Sequence, residues 1–131
     1  MKLKKLNRGI SDEQIQSHIN ELKASDMKVI RFVCEQLKCP IDYFFIPCRF
    51  REAVDSRHLV SLYLRKNRRY TLFAIGKIIG VVPKDHTSVL HSIKTAQNLI
   101  DTIEDYRTIY SLTLQATTTS FTSLSYRPCT N

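Results

Sequence analysis

Apolar residues recur along most of the chain at spacings of three and four, which is the period of an amphipathic α-helix. Ile15, Ile19 and Leu22 follow this spacing after a segment from Ser11 to Gln14 that resembles a capping box, and they predict a first helix over about 12–24. Few segments alternate apolar and polar residues as strands do, and only three glycines and four prolines interrupt the chain. The pattern therefore predicts an all-α protein with almost no sheet.

The same spacing divides the rest of the chain into five further helices. Val29 to Leu37 marks a second helix, and Ile41 to Phe45 is expected to form a short apolar turn. Thr71 is a candidate N-cap and Gly80 a C-terminal stop for a short helix, and Asp85 caps the helix that follows. The five helices after the first span Val29 to Leu37 and residues of about 53–67, 71–79, 85–100 and 103–114.

With 131 residues the chain is long enough for one domain with a modest hydrophobic core. We expect residues 1–27 to form an N-terminal extension with one amphipathic helix, and residues 28–115 to form a compact multi-helix domain. Residues 116–131 are rich in Ser and Thr and contain too few apolar residues to pack, so a flexible tail is predicted there.

Charge is distributed unevenly along the chain. Twenty Lys and Arg residues against twelve Asp and Glu give a net charge of +8, which is typical of a protein that binds a polyanion. Such a charge also suits an anionic membrane or an acidic protein partner. Between Cys48 and Tyr70 only Glu52 and Asp55 are acidic, and the Arg and Lys residues are Arg49, Arg51, Arg57, Arg65, Lys66, Arg68 and Arg69.

No apolar run approaches the length of about 20 residues that a transmembrane helix needs. The charged N-terminus is followed by polar residues and not by the apolar segment of a signal peptide. The four cysteines, which include no C-x-x-C pair, are interpreted as reduced thiols in preference to a zinc site: Cys34, Cys39, Cys48 and Cys129. These features predict a cytoplasmic protein that does not contact membranes.

The two helices on either side of residues 80–84 have the layout of a helix-turn-helix, in which the second helix presents its N-terminal residues to the major groove of DNA. On that helix, small or polar side chains share the stripe that faces away from the core: Ser88, His91, Ser92 and Thr95. Short side chains allow close approach to bases, and the free N–H groups near Asp85 favour phosphate. In the alternative interpretation, Thr87 and Ser88 only support the helix cap.

The arginines that precede these helices also have two interpretations. Runs of like charge are usually solvated faces, and Arg65 to Arg69 fit that description. Arg49 and Arg51 lie in a loop before a basic helix, where guanidinium groups can enter a minor groove or bind phosphates.

The segment Asp85-His86-Thr87-Ser88-Val89-Leu90-His91 resembles the signature of the C-terminal domain of the bacterial chromosomal replication initiator DnaA, whose usual form is Asp-His-Thr-Thr-Val-Leu-His. Ile75-Gly76, Arg57 and the segment from Arg49 to Arg51 also stand in the family's register, so the resemblance covers roughly residues 29–100. It implies a Trp-repressor-like fold with a helix-turn-helix. The implied function is sequence-specific binding of double-stranded DNA in replication initiation or its regulation.

The resemblance also implies roles for individual residues. Arg49 is expected to enter the minor groove beside the major-groove site, and Asp85 to Ser88 to contact bases and adjacent phosphates. Arg57, His58 and Arg65 are expected to grip the DNA backbone, although the family more often has glutamine in place of His58. The complete predicted DNA-binding set is Arg49, Arg51, Arg57, His58, Arg65, Lys84, Asp85, His86, Thr87, Ser88, His91 and Ser92.

Three features depart from the family pattern. Four residues, 81–84, separate Gly80 from Asp85, about two more than is typical of the family. Ser88 replaces the usual threonine, and Ser92 stands where a small apolar residue is common. Because both changes alter contact with thymine methyl groups, we expect the target to differ from the standard initiator box.

An enzyme is not expected. The sequence has no G-x-x-x-x-G-K-[ST] phosphate loop, so we expect no nucleotide, no cofactor and no ATPase activity, as in a stand-alone DNA-binding domain. His86 and His91 are five residues apart, which does not align them for a metal. Asp101, Glu104 and Asp105 are interpreted as a solvated face.

The alternative function is a helical protein-interaction module. The first helix, with Ile15 and Ile19, and the last helix, with Tyr106 and Tyr110, would then self-associate or bind another replication protein. A transcriptional regulator with only non-specific affinity for DNA is a related alternative.

Overall fold

The computed structural model describes the backbone of residues 10–122 and the side chains of residues 10–116. This part of the chain contains α-helices and no strand, which confirms the all-α prediction. None of these helices is long and apolar enough to cross a membrane. The helices are α1 (Asp12–Glu21), α2 (Ala24–Leu37), α3 (Ile41–Phe45), α4 (Arg51–Asn67), α5 (Leu72–Ile78), α6 (His86–Thr102) and α7 (Glu104–Thr122).

Helix α4 is the central element and packs against α2, α3, α5 and α6. Its apolar side is fully buried, since Leu59, Val60 and Leu64 are each at most 1% exposed. Phe44 and Phe45 of α3 are equally buried, and their rings meet edge to face with 4.9 Å between centroids. Because the burial of each such side chain contributes about 1.5–3 kcal/mol, α4 and its neighbours form a stable base for the loops.

Helix α1 begins with the predicted capping box. The hydroxyl of Ser11 accepts a hydrogen bond from the Gln14 N–H at 3.2 Å, and the Gln14 side chain accepts one from the Ser11 N–H at 2.8 Å. Ile15 and Ile19 are buried in the common core, and the His18 ring lies 3.0 Å from the Ile78 carbonyl oxygen. The apolar stripe of α1 therefore packs inside this chain.

Helix α2 begins at Ala24, well before the first apolar residue that predicted it. Its first turn contains Asp26, which is 2% exposed. The carboxylate accepts a hydrogen bond from Arg68 at 2.7 Å and another from the Tyr70 hydroxyl at 3.1 Å. Arg68 and Tyr70 lie more than forty residues from Asp26 in sequence. The first turn of α2 is therefore held by polar contacts with a distant segment, and the apolar pattern does not predict where the helix begins.

Replacement of Asp26 by alanine is expected to lower the free energy of unfolding by about 3–5 kcal/mol, because Arg68 and Tyr70 lose the buried carboxylate that pairs with them. Urea unfolding followed by circular dichroism measures this loss. Glu35→Ala is the matched control, since Glu35 is an exposed carboxylate on the same helix and its loss is expected to change stability by less than about 0.5 kcal/mol. Equal stabilities for the two variants would contradict the pairing.

The end of α2 brings two thiols together. The Cys39 N–H donates to the Cys34 carbonyl oxygen at 2.8 Å, after Lys38 has turned the chain with a φ of 60°. Hydrogen bonding with Cys39 and burial both raise the pKa of the Cys34 thiol, so this thiol stays protonated at neutral pH. Cys34, Cys39 and Cys48 are buried free cysteines, and Cys129 lies outside the described residues.

Two further elements differ from the sequence prediction. Residues 41–45 form the short helix α3, where an apolar turn was expected. Helix α7 continues to Thr122, beyond the predicted end at Leu114, and the part of the predicted tail from residue 123 onward lies outside the described residues. A Thr hydroxyl can remain in a helix by bonding back to the preceding turn, as Thr113 does to the Ile109 carbonyl oxygen at 2.8 Å.

Candidate nucleic-acid interface

Helices α5 and α6 are consecutive and each has the predicted N-cap. The Thr71 hydroxyl accepts a hydrogen bond from the Ala74 N–H at 3.1 Å, and the Asp85 carboxylate accepts one from the Ser88 N–H at 2.8 Å. The bonds to Ser88 lower the pKa of Asp85, so its carboxylate is ionised at neutral pH. The two caps fix where α5 and α6 begin.

Gly76 allows the turn between these helices to pass close to α5. The Lys84 N–H donates to the Gly76 carbonyl oxygen at 3.1 Å. A Cβ atom on residue 76 would lie 2.2 Å from the Lys84 carbonyl oxygen, a distance that no real contact tolerates. Glycine is therefore required where the backbone of the turn lies against α5.

The rest of the turn is held from the other side. Helix α5 ends at Ile78, with Ile79 as its C-cap, and the Val81 N–H donates to the Phe45 carbonyl oxygen at 3.0 Å. The four residues between Gly80 and Asp85, which lengthen the turn, are thus attached to α3 as well as to α5.

A groove of about 460 Å³ lies between α4 and the first turns of α6. Eight of the twelve predicted site residues line it, and they come from two distant segments of the sequence. Two apolar residues that the sequence did not single out, Val54 and Ile79, complete its lining. The eight predicted residues are Arg57, His58, Lys84, Asp85, Thr87, Ser88, His91 and Ser92.

The other four predicted residues lie outside this lining. His86, the first residue of α6, is exposed, and Arg49 is exposed in the loop between α3 and α4. Arg51 begins α4, and Arg65 lies near the opposite end of that helix, where it donates to the Tyr70 carbonyl oxygen at 2.9 Å. Arg65 is the fourteenth residue after Arg51, which corresponds to a distance of about 21 Å along the helix axis.

Arg57 lies in a different environment from the one that its predicted role implies. The side chain was expected to grip the DNA backbone, but the residue is only 7% exposed. Its guanidinium donates to main-chain carbonyl oxygens at the end of α3 and in the loop that follows: those of Tyr43 (2.9 Å), Phe44 (2.7 Å), Ile46 (2.6 Å) and Cys48 (3.3 Å). Arg57 therefore lines the groove as an anchor of the loop, with most of its donors already occupied.

Arg51 is exposed, but its side chain has a partner. Its side chain is 75% exposed, and its Nε donates to the carboxylate of Asp55 at 3.3 Å. The same oxygen of Asp55 accepts a hydrogen bond from the Tyr106 hydroxyl of α7. Helix α7 thus contacts the acidic partner of a predicted DNA-binding arginine, a link that the sequence pattern does not reveal.

The groove contains two side chains whose protonation is disfavoured. Burial lowers the pKa of His58, and the nearby His91 and Arg57 act in the same direction, against Asp55. Burial and Arg57 also lower the pKa of Lys84. The Nδ1 atom of His58 is buried and has no hydrogen-bond partner. An anion in the groove would favour the charged forms of both side chains.

These shifts predict a pH-dependent affinity for a polyanion. The free protein takes up the His58 proton only below about pH 6.5, the ordinary value, and a bound phosphate raises that pKa. Binding of a polyanion in the groove is therefore expected to strengthen as the pH falls from 7.5 to 5.5, by about tenfold for each unit by which binding raises the pKa. Fluorescence anisotropy with a labelled duplex at constant ionic strength measures the effect.

The matched variants are His58→Gln and His18→Gln. His58→Gln is expected to reduce the pH dependence, whereas His18→Gln is expected to retain it, because His18 is bonded to the Ile78 carbonyl oxygen away from the groove. If His58→Gln keeps the full pH dependence of the wild type, another group is responsible for it.

No metal site accompanies the groove. Among the described side chains of residues 10–116, no three His, Cys, Asp or Glu converge in a way that would hold a metal ion.

Comparison with known proteins gives one informative similarity. The chain is 26% identical over 105 residues to the chromosomal replication initiator protein DnaA of Flavobacterium psychrophilum. The chain is DnaA-like in sequence. The matched region covers 80% of this chain but spans only 19% of the length of that DnaA protein. No family model matches the chain, and no solved structure gives a significant match.

The similarity supports the coarser part of the resemblance found in the sequence. A DnaA-like relationship extends over most of the chain. Because the chain spans about a fifth of this relative, the activity of the whole DnaA protein cannot be transferred to it.

Proposed function

We propose that this protein binds double-stranded DNA through a helix-turn-helix formed by α5 and α6, with the first turns of α6 in the major groove, and that it acts in replication initiation or its regulation. The observation that carries the proposal is the groove, because predicted DNA-contact residues from α4 and from α6 meet there. The close passage of Lys84 against Gly76 also suits a helix-turn-helix, in which two short-linked helices pack tightly.

The start of α6 has the chemistry of a recognition helix. Asp85, Thr87 and Ser88 are exposed, and the side chains along this face are short enough to let the helix approach base edges. The helix end also offers free N–H groups and a positive dipole to phosphate. Lys84 and the arginines of the neighbouring loop add the positive charge that supplies most of the affinity for a duplex.

The direct test is binding of duplex DNA as a function of salt. If about five phosphates are neutralised, the logarithm of the affinity is expected to fall against the logarithm of the salt concentration with a slope near −4.5. Selection from a random duplex pool then identifies the preferred sequence and compares it with the initiator box. No binding to any duplex at low salt would contradict the proposal.

Two kinds of substitution separate base contacts from phosphate contacts. His86→Ala, Thr87→Ala and Ser88→Ala are expected to relax the preference among sequences, by about 1–3 kcal/mol at the affected base pairs. Arg65→Ala is expected to weaken all duplexes similarly, because a phosphate contact does not depend on sequence. Ser88→Ala leaves the cap intact, since Asp85 bonds the backbone N–H of residue 88. Competition binding between the selected duplex and a scrambled one measures both effects. Unchanged sequence preference in the α6 variants would mean that another element reads the bases.

The alternative of a protein-interaction module has less support. Ile15 and Ile19 of α1 are buried in this chain's own core. Tyr110 of α7 accepts a hydrogen bond from Asn67, and Tyr106 bonds to Asp55. The faces that would bind a partner are therefore largely occupied within the chain. For these 131 residues we propose no ATPase activity, because the sequence has no phosphate-binding glycine loop.

A further inference from the structure

The loop between α3 and α4 presents an aromatic ring between two exposed arginines. Phe50 is 43% exposed, Arg49 is exposed, and the side chain of Arg51 is 75% exposed. Single apolar side chains on a protein surface are common and need no explanation. The position of this one, inside a cationic loop beside the groove, does call for an explanation.

Phe50 is held close to the groove. The carbonyl oxygen of Cys48, in the same loop, accepts a hydrogen bond from Arg57, which lines the groove. Ile46 and Pro47 of this loop also adjoin the turn that leads to α6. Phe50 is the second residue after Cys48, which limits the distance between their Cα atoms to about 7 Å. The Tyr43 ring lies against the Phe50 ring, with 5.1 Å between centroids and an angle of 34° between the planes.

Capping of α4 does not require a phenylalanine at position 50. Phe50 occupies the N-cap of α4, and its side chain makes no capping hydrogen bond. Ser, Thr, Asp or Asn at an N-cap stabilises a helix by about 1 kcal/mol relative to an apolar residue. The ring contact with Tyr43 offsets part of this loss. The remaining exposed surface of the ring, between two exposed arginines, favours a role in binding.

We propose that Phe50 is an apolar wedge that enters the minor groove of DNA beside the major-groove site and partly unstacks one base step, while Arg49 and Arg51 hold the adjacent backbone. Apolar side chains flanked by cations do this in proteins that bend DNA from the minor groove. The inference rests on the proposed binding of duplex DNA by α5 and α6, and adds that the bound duplex is kinked at a defined step.

The test uses the full chain and a duplex that the wild-type protein selects from a random pool, with 2-aminopurine at successive positions. Wild-type protein is expected to raise the fluorescence at one step, because the probe brightens when it loses its stacking. Phe50→Ala is expected to abolish this rise and to weaken binding about tenfold. Phe50→Leu is expected to retain most of both effects, because leucine also serves as a wedge. Phe73→Ala is the control, since Phe73 is 69% exposed on α5 and is not flanked by arginine.

Salt dependence separates a lost wedge from a loosened loop. Phe50→Ala removes no charge, so the slope of log affinity against log salt is expected to stay unchanged. A loop that no longer presents Arg49 and Arg51 would reduce that slope by about 1.8, and this result would overturn the proposal.

The other outcomes of the fluorescence experiment distinguish failure of the wedge proposal from failure of the proposed DNA binding. A wild-type protein that binds the duplex without any rise in fluorescence, or a Phe50→Ala variant that keeps the full rise, would overturn the wedge and leave the proposed function standing. A wild-type protein that binds no duplex at all would overturn both.

Discussion

Replacement of Arg57 by methionine is expected to lower the free energy of unfolding by about 3–5 kcal/mol. The guanidinium is buried, and four main-chain carbonyl oxygens accept its hydrogen bonds. Methionine is apolar and donates nothing, so these oxygens lose their partner and the loop after α3 loses its anchor. Urea unfolding followed by circular dichroism measures the change. DNA affinity is expected to fall as well, because Arg49 lies in the released loop.

Arg65→Met is the matched control on the same helix. Arg65 is exposed and donates to one carbonyl oxygen, that of Tyr70, so its loss is expected to cost less than about 1 kcal/mol. Arg57→Lys keeps the charge but not the planar fork of donors, and an intermediate loss is expected. If Arg57→Met is as stable as the wild type and binds DNA poorly, Arg57 contacts phosphate as the sequence suggested.

The helix caps are the part of the fold that the sequence predicted best. Ser11, Thr71 and Asp85 each bond a backbone N–H three residues ahead, so the interaction lies within one turn and its signature is local. The start of α6 was therefore predictable to the residue. The predicted outward stripe of α6 agrees less closely with the structure, because Ser88 and His91 are exposed whereas Ser92 and Thr95 are half-buried.

Contacts between distant segments account for what the sequence did not predict. Arg57 and Arg65 look alike in the sequence, as two arginines on one basic helix, yet one is buried and the other exposed. The difference arises because the carbonyl oxygens around Arg57 belong to residues 43–48, which come together only when α3 packs on α4. Asp26 is a similar case, since its burial depends on Arg68 and Tyr70.

The candidate site combines both kinds of information. Eight of its residues were predicted from the resemblance and the face of α6, but their assembly around one groove depends on the packing of α6 against α4. The exposure of Phe50 and the contact of Tyr106 with Asp55 had no sequence signature, because a phenylalanine and a tyrosine on an amphipathic helix are both expected to pack in the core.

Replacement of Gly76 by alanine is expected to destabilise the protein by about 3 kcal/mol and to weaken duplex binding more than tenfold even where the variant remains folded. The added Cβ would lie 2.2 Å from the Lys84 carbonyl oxygen and 3.4 Å from the Val89 side chain. Since the closest atom belongs to the backbone, no side-chain rotation relieves the overlap. The turn must move away from α5, and the start of α6 moves with it.

The sign of this effect makes the test decisive. Helix propensity alone predicts that alanine stabilises the interior of α5 by about 1 kcal/mol relative to glycine. The close backbone contact predicts the opposite, and it also predicts a loss of DNA affinity that propensity does not. Thermal unfolding and fluorescence anisotropy of Gly76→Ala distinguish the effect of helix propensity from that of the close contact. Phe73→Ala is an exposed control on the same helix. A variant that gains stability and keeps wild-type affinity would mean that the turn does not lie against α5, and the proposed helix-turn-helix would lose the support of this close contact.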